Sequence, residues 1–118
     1  MSKIIQVPRE DDLNKVTALS GSGPAYVFLF IEAMRNAAKE MGFDDQMASD
    51  MALGTCLGAA LLATNSTTDV SILREQVTSK GGTTERALAV FKEQGLEDIM
   101  KKATKAALDR AVELGQRY

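Results

Sequence analysis

Gly23-Pro24-Ala25-Tyr26-Val27-Phe28-Leu29-Phe30-Ile31-Glu32-Ala33-Met34-Arg35-Asn36-Ala37-Ala38-Lys39-Glu40-Met41-Gly42 carries the start, body and stop signals of one helix. Pro24 suits the first helical position, where its missing N–H costs nothing, and Ser22 or Gly23 serves as the cap. The helix is predicted over Ala25 to Met41, with Gly42 closing it as a C-cap. Tyr26 to Ile31 is apolar on every side, which predicts burial all round. Beyond that the pattern is one-sided: Val27, Phe30, Ile31, Met34, Ala38 and Met41 face inward, opposite Glu32, Arg35, Asn36 and Lys39.

Working outward, Leu13, Val16 and Leu19 recur at helical spacing after a polar lead-in, Val7-Pro8-Arg9-Glu10. They predict a short helix ended by Ser20-Gly21-Ser22-Gly23. On the other side, Asp44 or Asp45 opens a third helix from about Gln46 to Thr64. Gly54 and Gly58 lie four apart on one face of it, beside Ala59, Ala60 and Ala63, and small residues at that spacing allow close approach of another helix. Tight packing in the core is the favoured account of them. A short helix capped by Thr68 or Asp69 buries Val70, Leu73 and Val77. Gly81-Gly82 breaks the chain, and Thr83-Thr84 starts a helix with Ala87, Leu88 and Phe91 inward, stopped at Gly95. The last helix, Leu96 to Leu114, repeats Leu96, Ile99, Ala103, Ala107, Ala111 and Leu114, with Glu97 and Asp98 complementing its dipole. No segment alternates with period two. The fold class is all-α with about six helices, in one domain over residues 11–118 after a lead-in or linker remnant over 1–10.

The 118 residues suit one core, since a chain of this size buries roughly two-thirds of its unfolded surface. Tyr26 to Ile31 and Met51 to Ala63 offer more apolar surface than one small layer of helices covers, and such patches mark interfaces; a homodimer is expected. The net charge of −2 comes from mixed signs with no basic patch, and two tyrosines and four phenylalanines give little to stack on bases. Nucleic-acid binding is thereby disfavoured. Cys56 is the lone cysteine, so no internal disulfide forms, in keeping with a reducing compartment. The chain has no histidine, which removes the commonest metal ligand and general base; no metal site is expected. The N-terminus is too short and polar for a signal peptide. The longest uncharged stretch, Met51 to Thr68, has an apolar part ending near Ala63, short of the roughly 20 residues of a membrane span. A buried helix is expected there, and no membrane partner.

Two glycine-containing loops remain. Gly21-Ser22-Gly23-Pro24-Ala25-Tyr26 begins like a dinucleotide fingerprint and fails on context: Tyr26 replaces the third glycine, Pro24 intervenes, and no strand precedes it. The chain alone is not expected to bind a dinucleotide in that manner. Val77-Thr78-Ser79-Lys80-Gly81-Gly82-Thr83-Thr84 runs straight into a helix, whose free N–H groups and dipole favour a phosphate or carboxylate. Glycines let a ligand approach the backbone, and threonine hydroxyls add directional bonds. By itself such a loop is more often a capped turn.

The string Val16-Thr17-Ala18-Leu19-Ser20-Gly21-Ser22-Gly23-Pro24-Ala25-Tyr26, with Val77 to Thr84 some fifty residues later, closely resembles two signature segments of pyrroline-5-carboxylate reductases. The resemblance covers about residues 7–118. It implies the interlocking helical bundle of that family's dimerisation domain, pairing as a homodimer, in some members within a larger ring of dimers. The family reduces 1-pyrroline-5-carboxylate to L-proline with NADPH or NADH, the last step of proline biosynthesis, in the cytoplasm. Its cofactor, NADP or NAD, sits on an N-terminal Rossmann domain that this chain lacks, so the chain alone is expected to bind none and to be inactive. By position, the substrate carboxylate falls on backbone N–H groups around Gly81, Gly82, Thr83 and Thr84. The Thr84 hydroxyl, the candidate catalytic group, faces the ring nitrogen, and Glu10 matches an acidic position beside the substrate. Gln76, Val77 and Pro24 fall near the nicotinamide. Lys80 departs from the family's usual proline; it loosens the loop and adds a positive charge. The alternative reading is a non-catalytic helical oligomerisation module derived from that family.

Overall fold

The computed structural model describes residues 10–115, with side chains from Asp11 onward; the lead-in and the Glu10 carboxylate lie outside the described residues. Six α-helices follow in order: α1 Glu10–Val16, α2 Gly23–Glu40, α3 Asp45–Thr64, α4 Val70–Gln76, α5 Thr83–Glu93 and α6 Leu96–Gly115. No strand occurs among the described residues, as the missing period-two pattern predicts.

Local chemistry sets most helix ends. At the end of α2, the Phe43 N–H donates to the Ala38 carbonyl at 3.3 Å and the Gly42 N–H to that of Lys39 at 3.0 Å. This is the Schellman arrangement, and it needs the left-handed φ of +105° that Gly42 supplies. Asp44 caps α3 by accepting the Met47 N–H at 2.8 Å. Asp69 caps α4, accepting the Ser71 N–H at 3.0 Å and the Ser71 hydroxyl. Gly95, at φ +76°, turns the chain into α6, where its carbonyl accepts the Ile99 N–H at 2.9 Å.

One expected break is absent. Ser20-Gly21-Ser22-Gly23 does not end the first helix: Thr17–Gly21 is a π-helical turn, and Ser22 stays in the helical region at φ −86° and ψ −19°. The Ser22 N–H donates to the Thr17 carbonyl, five residues back, at 2.8 Å. The hydroxyls of Thr17 and Ser20 donate to the carbonyls of Leu13 and Val16 at 2.9 and 3.1 Å, contacts that loosen and bend helices. The extra residue is absorbed by a wider turn rather than by a loop.

The chain divides into two compact units. One comprises the chain up to Val27 together with the segment from Gly95 on. In it, α6 packs against the π turn and against α1, and Ala18 is the buried residue. The other runs Phe28–Gln94. Its helices do not pack along one another's lengths, and its buried residues are Ala48 and Ala52.

The inward faces read from the sequence are therefore largely open. Phe28 is 68% exposed and Leu29 66%, with Val27 and Phe30 exposed beside them, where burial all round is expected. Met41, Val70, Val77, Phe91, Leu96, Ile99 and Leu114 are exposed too, as are Ala87 and Ala103. The physical reason is geometric: a helix apolar on every side needs neighbours on every side, and the described residues do not supply them. The glycine face of α3 tells the same story. A Cβ added at Gly54 or Gly58 meets nothing within 4 Å, so the tight core packing expected of them is not made among the described residues. By length and composition alone, Asp11–Glu40 and Asp45–Thr64 are long and apolar enough to cross a membrane, a test that helices of soluble proteins pass as well.

Candidate functional site

The loop between α4 and α5 is built by hydrogen bonds at its near end and by glycines at its far end. The N–H groups of Val77 and Thr78 donate to the carbonyls of Arg74 and Glu75 at 3.3 and 3.0 Å, and the Thr78 hydroxyl donates to Arg74 at 2.6 Å. A tight turn follows, closed by the Gly82 N–H donating to the Ser79 carbonyl at 3.0 Å. Gly81 sits at φ +75°, a left-handed conformation that side chains disfavour. Gly82 is extended, at φ −88° and ψ −176°; its need is space, because a Cβ there would lie 3.2 Å from the Ser79 carbonyl oxygen.

Helix α5 then begins without a side-chain cap, unlike α3 and α4 with their aspartates. The first α5 donor paired with the chain is the Arg86 N–H, on the Gly82 carbonyl at 3.4 Å. The N–H groups of Thr83, Thr84 and Glu85 precede it, in the turn where helices leave donors unsatisfied. Neither threonine hydroxyl takes a partner among the described residues; Gly82 and Thr84 are half-buried and Thr83 is exposed. The Glu85 carboxylate reaches back to accept the Gly81 N–H at 3.3 Å. Lys80 is exposed and makes no ion pair among the described residues. A helix start with free N–H groups, at the positive end of an eleven-residue helix, is of the kind that favours a small anion, with the Glu85 carboxylate as the acidic group bonded to the same loop.

The loop thus brings together Gly81, Gly82, Thr83 and Thr84. Gln76 and Val77 stand at its near end and line a groove of about 660 Å³ with residues of α3 and α4, among them Leu62, Ala63, Val70 and Leu73. Gly81 to Thr84 take no part in lining it. Pro24 is exposed in the first turn of α2 and belongs to the other unit. Glu85 was not singled out from the sequence. Its spacing was legible: a glutamate three residues after the cap position is the acidic half of a capping box, although here it bonds Gly81, one residue before the cap, while the Gly82 N–H goes to Ser79. No group of three or more His, Cys, Asp or Glu residues able to hold a metal occurs among the described residues. Gly21 and Gly23 lie in helical winding, not in a loop between strand and helix.

Residues 10–114 match the family model described as pyrroline-5-carboxylate reductase dimerisation. The chain belongs to that family. The pyrroline-5-carboxylate reductase of Vibrio alginolyticus is 47% identical over 115 residues, which cover 97% of this chain and 42% of that protein. The Pseudomonas aeruginosa reductase is 43% identical over 107 residues, covering 91% of this chain and 39% of that one. Among solved structures, the Coxiella burnetii pyrroline-5-carboxylate reductase superposes with a TM-score of 0.90 at 45% identity, over 93% of this chain and 41% of that one. Plasmodium falciparum pyrroline carboxylate reductase, solved with NADP bound, gives 0.89 at 30% identity, over 95% and 43%. The chain spans about two-fifths of the length of these reductases. Their superposition establishes the all-α reading as the reductase dimerisation fold.

Proposed function

We propose that this chain is the dimerisation and substrate-holding part of a pyrroline-5-carboxylate reductase, whose whole form reduces 1-pyrroline-5-carboxylate to L-proline with NADPH or NADH in the cytoplasm. The observation that carries the substrate assignment is the uncapped start of α5. Its N–H groups at Thr83 and Thr84, approached over Gly81 and Gly82, hold the substrate carboxylate. The Thr84 hydroxyl lies on the same turn and orients the ring nitrogen, which gains a proton as the neighbouring carbon gains hydride. Binding and orientation are what such a site must supply, because the cofactor carries the hydride chemistry.

The described residues do not fit a nicotinamide dinucleotide by themselves. They contain no strand, and the Gly21 to Gly23 segment is helical, so the strand–loop–helix cradle of a dinucleotide fold is not formed among them. The nucleotide is held by other parts of the reductase, with Gln76, Val77 and Pro24 at most touching its reactive end. The open apolar faces of α2 and α3 are assigned to a second copy of the chain rather than to a membrane, in a homodimer that a ring of dimers extends.

The test is turnover of pyrroline-5-carboxylate by the reductase that carries this segment. Thr84→Ala should lower kcat/KM about fivefold, the equivalent of one hydroxyl contact near 1 kcal/mol, with little change in folding. Unchanged activity would make the hydroxyl irrelevant to the substrate. The chain alone should oxidise no cofactor. Failure of the assembled protein to bind proline would favour a purely structural module, which has no use for free donors at α5.

A further inference from the structure

The geometry points to the Tyr26 hydroxyl as a latch that holds one extra residue of winding between α1 and α2 and so sets the face α1 presents to α6. All the groups involved lie in the unit formed by the two ends of the chain. A π turn is rare and appears mostly as a single bulge inside an α-helix, so something must hold it. The back-bonds from Thr17 and Ser20 span four residues; an α turn would accept them equally, and they do not select the wider winding. The Tyr26 hydroxyl does select it. It donates at 2.6 Å to the carbonyl of Ala18, eight residues back and inside the π turn. In an uninterrupted α-helix residues eight apart are about 12 Å apart along the axis. A tyrosine side chain reaches back toward the N-terminus, but closing that span needs the altered turn. The hydrogen bond therefore fits the π winding and not an unbroken α-helix.

The consequence is a matter of phase. One residue corresponds to about 100° around a helix axis, so removing the extra residue would rotate α1 by that angle relative to the start of α2. Ala18, 3% exposed, sits in the π turn against which α6 packs. In the other register a larger neighbour, Leu19 or Thr17, would point there instead. A single phenolic oxygen thus decides between two packings of α1 with α6.

Amide hydrogen exchange on the intact, assembled protein tests this. In Tyr26→Phe the Ser22 amide, which donates to Thr17 in the π turn, should exchange roughly five- to tenfold faster, the loss of one hydrogen bond. Amides of α3 and α5 should keep their rates. An unchanged Ser22 rate overturns the proposal. So does a uniform rise across all helices, or loss of the fold, since either would make Tyr26 a general packing residue. Deletion of Leu19 supplies a second readout: it removes the extra residue, and Tyr26→Phe should then have no further effect on Ser22 exchange. A further acceleration in that background, or a deletion variant that does not fold, counts against the latch.

Discussion

Thr83 and Gly81 stand two residues apart and are constrained by different physics. Thr83 contributes a backbone donor, which any residue but proline retains. Gly81 contributes a conformation: at φ +75° an alanine pays a steric cost of about 1–2 kcal/mol. Gly81→Ala should lower the unfolding free energy by about that amount in urea titrations, whereas Thr83→Ala should leave it nearly unchanged. The carboxylates give a pH dependence with a definite sign. The Ser71 hydroxyl, and then the Ser71 N–H, hold Asp69 below its ordinary pKa; the hydrogen bond and charge of Lys39 do the same for Asp45, whose carboxylate lies 2.9 Å from the Lys39 ammonium. A carboxyl depressed in the folded state contributes stability above its unfolded pKa, near 4, and loses it as the pH falls through the lower folded value. The start of α4 should therefore loosen as the pH falls below about 4, followed by the Ser71 amide resonance, and Asp69→Asn should flatten that response. These residues were readable beforehand because capping is local chemistry: Asp44, Asp69, Gly42 and Gly95 all act within five positions of their own place in the chain.

Helix α5 shows what an element can be asked to do. Its start is left unsatisfied where α3 and α4 satisfy theirs with aspartate, so supplying the missing cap is a direct challenge to the site. Gly82→Asp places a carboxylate at the cap position of a residue already extended, at φ −88° and ψ −176°. The new Cβ, 3.2 Å from the Ser79 oxygen, asks the loop to give by a few tenths of an ångström. Helix content should hold by circular dichroism. The KM for the carboxylate substrate should rise roughly ten- to a hundredfold, the loss of charge-assisted hydrogen bonds worth about 1.5–3 kcal/mol. An unchanged KM would place the anion elsewhere. At this scale the sequence was less transparent. Gly21-Ser22-Gly23 carries every mark of a stop, yet the helix runs through it, because glycine can take helical angles at a cost of only about 1 kcal/mol against alanine. What decides the winding is the Tyr26 contact to Ala18, which no window of helical periodicity encodes.

For the whole molecule, the apolar pattern was read correctly as a pattern and incorrectly as burial. Val27, Phe30 and Met41 sit on the faces the spacing assigns them, and each is exposed. Periodicity reports that a face must be covered and is silent on whose atoms cover it. For a dimerisation fold the cover comes from another copy, so thermal stability should follow mass action: raising protein concentration a hundredfold should raise Tm measurably in scanning calorimetry, as for dimers without a stable folded monomer. A Tm independent of concentration would mean the chain closes on itself. The same open faces govern how the protein is made. With Ala18, Ala48 and Ala52 alone buried among the described residues, this segment has almost no interior of its own to collapse around. Completing this helical part is then a meeting of two chains rather than the settling of one, with a rate that grows as the square of their concentration. Scarce transcripts would yield little assembled protein, and neighbouring ribosomes on one message would be the most productive place for partners to find each other.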